Sequence, residues 1–106
     1  MTQEVNQRKL DAVEKLAVLS AEAGITLIEL SIAFTIRHRA VTSAIIGPRT
    51  MEHLESQLTA ADVRLSDDVL DRIDEIVAPG VTLNPADAGW QPPQLAEASL
   101  RRRPLT

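Results

Sequence analysis

Apolar positions recur with a helical period through most of this chain. Between residues 6 and 23 they fall at Leu10, Val13, Leu16, Ala17 and Ala21, while Arg8, Lys9, Asp11, Glu14 and Lys15 mostly take the other side. That spacing predicts an amphipathic helix over 6–23, and Gly24 suits the left-handed residue that ends one. Thr26 and Glu29 then have capping-box spacing, each side chain able to accept from the other's free N–H, which predicts a second helix over 26–37. Its Leu27, Ile28, Leu30, Ile32, Ala33, Phe34 and Ile36 wrap most of the way round, so it should be buried on several sides. Arg37, His38 and Arg39 follow at its C-terminal end, where the helix dipole favours cations.

The period then changes. Val41 to Ile46 is short, rich in β-branched residues and stopped by Gly47-Pro48, which predicts a strand over 41–46. Both of its faces are largely apolar, as in a parallel strand covered on both sides. Thr50 caps a third helix predicted over 50–61, with Met51, Leu54, Leu58 and Ala61 three or four apart. Ser66 caps a fourth over 66–78, with Asp67 and Asp68 in the first turn and Val69, Leu70, Ile73, Ile76 and Val77 as its core stripe. Over 81–106, Pro85, Gly89, Pro92, Pro93 and Pro104 predict an extended tail. A single strand leaves N–H and C=O groups unpaired along both edges, which is costly when they are buried. The pattern therefore implies part of an α/β protein, its other strands supplied by further polypeptide or by partner copies.

Composition narrows the function classes. The chain has 106 residues, 44% of them apolar, enough for one small core, but only two aromatics, Phe34 and Trp90. A net charge of −4 argues against a general nucleic-acid or membrane surface. The chain has no cysteine, its start is polar, and Arg37, His38 and Arg39 cut off its longest apolar stretch. The expectation is a soluble, cytoplasmic protein.

The stretch from Ser43 to Gln57 carries the chemistry. A strand turning sharply into a helix N-terminus presents free N–H groups and a partial positive charge, and Arg49 stands in that turn. Together they make a seat for a phosphate; the plainer reading of Arg49 is a solvated surface arginine. Gly47 serves either a turn or close backbone approach, Pro48 pre-sets the helix start, and Thr50 is a cap with a hydroxyl to spare. His38 reads as a helix-terminal cation, and neither it nor His53 belongs to a metal-ligand cluster.

The run Ala44-Ile-Ile-Gly-Pro-Arg-Thr-Met-Glu-His-Leu-Glu-Ser-Gln57 resembles the last barrel strand and following helix of the aldo-keto reductases. Leu65 to Ile76 resembles that family's terminal helix, and Gly24 to Phe34 the helix before the last strand. The resemblance implies the C-terminal fragment (last strand plus flanking helices) of a (β/α)8 TIM barrel that reduces aldehydes or ketones with NADP(H), α/β in class and mostly helical in isolation. Such barrels take about 250 residues and bind phosphate after strands 7 and 8. It also implies that Ile46, Gly47, Pro48, Arg49 and Thr50, with His53, Ser56 and Gln57 on the helix, hold the adenosine 2′-phosphate and adenine. His53 stands where relatives often carry Gln or Arg, and Ser56-Gln57 where they often carry Glu-Asn, so the adenine contact departs from the family's pattern.

The family's catalytic Asp, Tyr, Lys and His lie in earlier strands, and this chain has no tyrosine. By itself it is expected to be inactive, completed by the remaining N-terminal barrel segment or by a homo-oligomer, with a small carbonyl compound as substrate. Trp90 matches a loop lining the substrate mouth, either as an apolar wall or as a pin for the tail. Arg101, Arg102 and Arg103 read as a solvated tail. Two alternatives remain. One is a non-catalytic helical interaction module. The other is a helix-turn-helix around Gly24, disfavoured because a recognition helix needs polar side chains for base edges.

Overall fold

Gly24 makes the first corner. In the computed structural model, which describes residues 4–79 and 93–104, helix α1 (Glu4–Glu22) ends against Gly24 at φ +76°. The Gly24 N–H donates to Ala21 O at 3.1 Å and the Ile25 N–H to Ser20 O at 3.0 Å, the paired bonds of a Schellman cap. The chain bends by 94°, and α2 (Leu27–Arg37) begins. The Thr26 hydroxyl accepts from the Glu29 N–H at 3.0 Å while the Glu29 carboxylate accepts from the Thr26 N–H at 3.0 Å. That backbone N–H, with the Thr59 hydroxyl, holds the Glu29 carboxyl below the usual range. Helix α3 (Met51–Leu58) runs straight into a 3₁₀ turn, Thr59–Asp62. The Ser66 hydroxyl, accepting from Val69 N–H at 3.3 Å, opens α4 (Asp67–Ile76).

The core gathers Leu19, Leu30, Ala33, Leu65, Leu70 and Ile73, with Leu16, Ile25, Leu27, Val63, Val69 and Ile76 packed on it. Helix α1 lies against α2 and α4, and α2 against α3 and the 3₁₀ turn. Burial of α2 is one-sided. Leu30 and Ala33 are inside, but Ile28 and Phe34 remain 44% and 45% exposed. The radius of gyration is 14.5 Å, where a compact chain of this length gives about 13 Å. The apolar girdle of α2 is thus only half used.

No strand forms among the described residues, so the strand expected over 41–46 is corrected: residues 41–48 are irregular. A strand exists by pairing its N–H and C=O groups with a neighbour, and no described segment lies alongside this one as a strand. A strand-like alternation persists nonetheless. Ala44, Ile46 and Pro48 are half-buried, Gly47 is exposed, and Ile45 is 100% exposed. One face is covered and the other is bare.

The C-terminal segment also departs from expectation. Residues 81–92, including Trp90, lie outside the described residues. Beyond them the chain is neither extended throughout nor a free tail: Pro93–Ala96 (α5) and Ala98–Arg101 (α6) are single helical turns. The Arg39 N–H donates to Arg101 O at 3.1 Å and the Arg103 N–H to Arg37 O at 2.7 Å, making an antiparallel bridge between His38 and Arg102. One Arg102 nitrogen lies 2.9 Å from both Asp71 and Asp74 on α4, and Arg101 lies 3.2 Å from Asp74. Burial by itself lowers the Arg102 pKa; the hydrogen bonds it donates to Asp71 and Asp74, and their charges, outweigh it and raise the value above the ordinary. Arg37, its side chain 10% exposed, donates to Leu65 O, to Asp67 at 3.3 Å and to Arg103 O at 2.5 Å. The basic residues at the end of α2 and in the tail are partners in one junction.

Candidate functional site

Thr50 creates the corner that follows the irregular segment. Its backbone is extended (φ −131°, ψ 164°), its hydroxyl accepts from the His53 N–H at 3.1 Å, and its carbonyl accepts from the Leu54 N–H at 3.1 Å. These bonds fix the start of α3, where unpaired N–H groups and the dipole favour an anion. Arg49, immediately before the cap, is exposed, and no ion pair or hydrogen bond engages its guanidinium among the described residues. It is the cation of the corner. Glu52 in the first turn of α3, with Glu55 one turn on, carries the opposite charge, so an anion here depends on Arg49 rather than on a general positive field.

Gly47 has no positive φ, and a methyl group built on it meets nothing within 4 Å. Neither turn geometry nor packing within the described residues demands a glycine there; its backbone stands open to approach from outside. Pro48 and Ile46 are half-buried beneath it.

The three helix residues do not act as one surface. His53 is exposed, whereas Ser56 and Gln57 are half-buried. The Ser56 hydroxyl donates back to His53 O at 2.9 Å, leaving its lone pairs available. The Gln57 side-chain oxygen is buried without a hydrogen-bond partner, an arrangement that ordinarily costs about 1–3 kcal/mol. The spacing of 53, 56 and 57 is helical, but rotation about α3 turns Gln57 inward.

An apolar concavity lies elsewhere. An apolar groove of about 570 Å³ runs between α1, α2, α4 and the C-terminal segment, with Leu16, Leu30, Phe34, Ile73, Val77 and Leu95 among its lining residues. None of the corner residues lines it.

A model of the aldo/keto reductase family matches residues 1–78, nearly three-quarters of the chain and all four long helices. The chain belongs to the aldo/keto reductase family. The match takes in α1 as well as the stretches from Gly24 to Phe34, Ala44 to Gln57 and Leu65 to Ile76, and it ends before the C-terminal segment. No curated protein and no solved structure gives a significant match. For an aldo/keto reductase segment the helical layer and the bare face of residues 41–48 are mutually consistent, since the family's barrel puts helices outside and strands within.

The helix-turn-helix alternative finds its bend, 94° at Gly24, within the range of that motif, but not its reading face. The exposed positions of α2 are Ile28, Ser31, Phe34 and Thr35, two of them large and apolar.

The junction of Arg37 with Asp67, and of Arg101 and Arg102 with Asp71 and Asp74, is invisible to local pattern. Its one advance signal is complementary: three successive arginines in the tail and aspartates at 67, 71 and 74, spaced three and four apart along one face of α4.

Proposed function

We propose that this chain supplies the cofactor-phosphate corner and the C-terminal helical layer of an NADP(H)-dependent aldo/keto reductase, its strand 41–46 completed by barrel strands from further polypeptide or from a partner. The observation that carries this reading is Arg49, exposed and without a partner among the described residues, beside the capped N-terminus of α3 and inside the family match. The donor set fits the adenosine 2′-phosphate: a free guanidinium, the unpaired N–H groups of the first turn, the Thr50 hydroxyl and an open backbone at Gly47. His53 and Ser56 would face the adenosine, and Gln57 would find a partner once neighbouring chain surrounds it. The dinucleotide supplies hydride; this chain's residues bind and orient its phosphate end. Proton donation to a carbonyl falls to residues beyond this chain, which has no tyrosine.

Three features support incompleteness of the sheet: the bare face at Ile45, the exposed Ile28 and Phe34, and the unpaired Gln57 oxygen. The test is cofactor discrimination in the completed barrel. Arg49→Ala weakens NADPH by about ten- to hundredfold, the equivalent of about 1.5–3 kcal/mol, and leaves NADH nearly unchanged. Equal loss for both cofactors removes Arg49 from the phosphate.

A further inference from the structure

The C-terminal segment lies outside the family match, which ends at residue 78, and the cofactor corner makes no use of it. Its attachment is mostly polar. Beyond the paired bonds at His38 and Arg102, Arg39 donates to Ser99 O at 2.7 Å and Arg103 to Val41 O at 2.6 Å. The Ala40 N–H donates to His38 Nδ1 at 3.0 Å, which leaves Nε2 to donate to Gln94 O at 3.2 Å. Apolar burial is slight, with Leu95 and Leu100 still 43% and 40% exposed, and helices of a single turn do not stand by themselves.

Charge makes up the difference. Arg101 and Arg102 have side chains 16% and 19% exposed, and they engage Asp74, itself 23% exposed, together with the more open Asp71 at 62%. Asp67, 71% exposed, lies 3.8 Å from Arg102. Ions from solvent reach the outer carboxylates, so the attraction is screened by salt. The Nε atoms of Arg101 and Arg102 are buried without acceptors, which the closed arrangement tolerates at a cost. Beneath the segment lies the apolar groove, with Leu95, Arg101 and Arg102 on its wall.

We propose that residues 93–104 form a releasable strap, held by Arg101 and Arg102 on the Asp71–Asp74 stripe of α4, that forms one wall of the apolar groove and covers the backbone edge at residues 37–41. Seated, the strap satisfies the Arg39 N–H and the Arg37 carbonyl just where the chain passes into the unpaired stretch 41–48. Released, it removes one wall of the groove and leaves that edge free to pair, so the strap guards against edge-to-edge association of copies. This inference stands whether or not the corner binds a cofactor.

Amide hydrogen exchange on the full chain tests it, because Arg39 and Arg103 donate across the strap. Raising salt from about 0.15 M to about 1 M shortens the screening length from about 8 to about 3 Å. Protection at Arg39 and Arg103 is expected to fall by about tenfold or more, while the core amides of Leu30 and Ala33 keep theirs. The double variant Asp71→Asn, Asp74→Asn should show the same selective loss at low salt, with increased binding of an apolar fluorescent dye and a concentration-dependent rise in size. Protection at Arg39 and Arg103 that is insensitive to salt overturns the proposal. So does a loss spread evenly over α1 to α4. The salt series decides even if the double variant fails to fold.

Discussion

Two arginine-bearing regions of this molecule face opposite circumstances. At the corner before α3, Arg49 stands exposed with no partner among the described residues, beside a helix start fixed by Thr50. At the junction of α2, α4 and the strap, Arg37, Arg101 and Arg102 are mostly enclosed and bound to carboxylates and carbonyls 27 to 66 residues away. The first arrangement is what a ligand site needs, because a cation already paired has little to offer an incoming phosphate. The second is what a structural clasp needs, since an enclosed guanidinium must have partners. Equal charge is thus left open to a ligand in one place and used for assembly in the other, and accessibility decides which.

The sharpest way to break this comparison is to exchange the two kinds of loss. Arg37→Ala removes donors from Leu65 O, Asp67 and Arg103 O, and should cost about 2–3 kcal/mol of stability in a denaturant melt. It should leave the NADPH-to-NADH preference of the completed barrel alone. Arg49→Ala is the mirror image: the tenfold or greater loss of NADPH preference described above, with stability unchanged within about 0.5 kcal/mol. If Arg49→Ala instead unfolds the chain, the two regions are not different in kind.

A smaller effect separates the cap from the cation. Thr50→Ala leaves the His53 N–H without its acceptor and should lower stability by about 1 kcal/mol, with Thr50→Asn restoring most of it; thermal melts of the three proteins decide. The smallest effect concerns acid. The Glu29 carboxyl sits below its ordinary value of 4.5 in the fold. A carboxylate with a lowered folded pKa stabilises the fold above its unfolded value, and that contribution disappears as pH falls through the folded value. Glu29→Gln should therefore melt lower than the wild type at neutral pH and match it once Glu29 is protonated. A difference that persists in acid would mean that packing, rather than charge, holds the cap.

The corner was legible because each of its parts acts locally. Gly47-Pro48 stops an apolar run, Thr50 accepts a bond from three residues on, and Arg49 lies between them. The orientation of Gln57 was not legible, since a spacing of one or four residues does not say which way a short helix is rotated against its neighbours. The strand over 41–46 shows the limit from the other side. Its pattern survives as alternating burial, with Ala44 and Ile46 turned inward and Ile45 outward, but pairing belongs to two segments and one sequence stretch cannot supply both. The strap was missed for a related reason: prolines and a basic run read as a solvated tail, and only the aspartates of α4, some thirty residues earlier, give Arg101 and Arg102 somewhere to go.

By itself the sequence determined α1 to α4, their caps and the turn at Gly24, because helical hydrogen bonds and capping bonds span three to five residues and are written in adjacent side chains. Tertiary structure alone decided which arginines are enclosed and which stay open to solvent. That outcome depends on where distant carboxylates and carbonyls come to rest, and no local pattern carries that information.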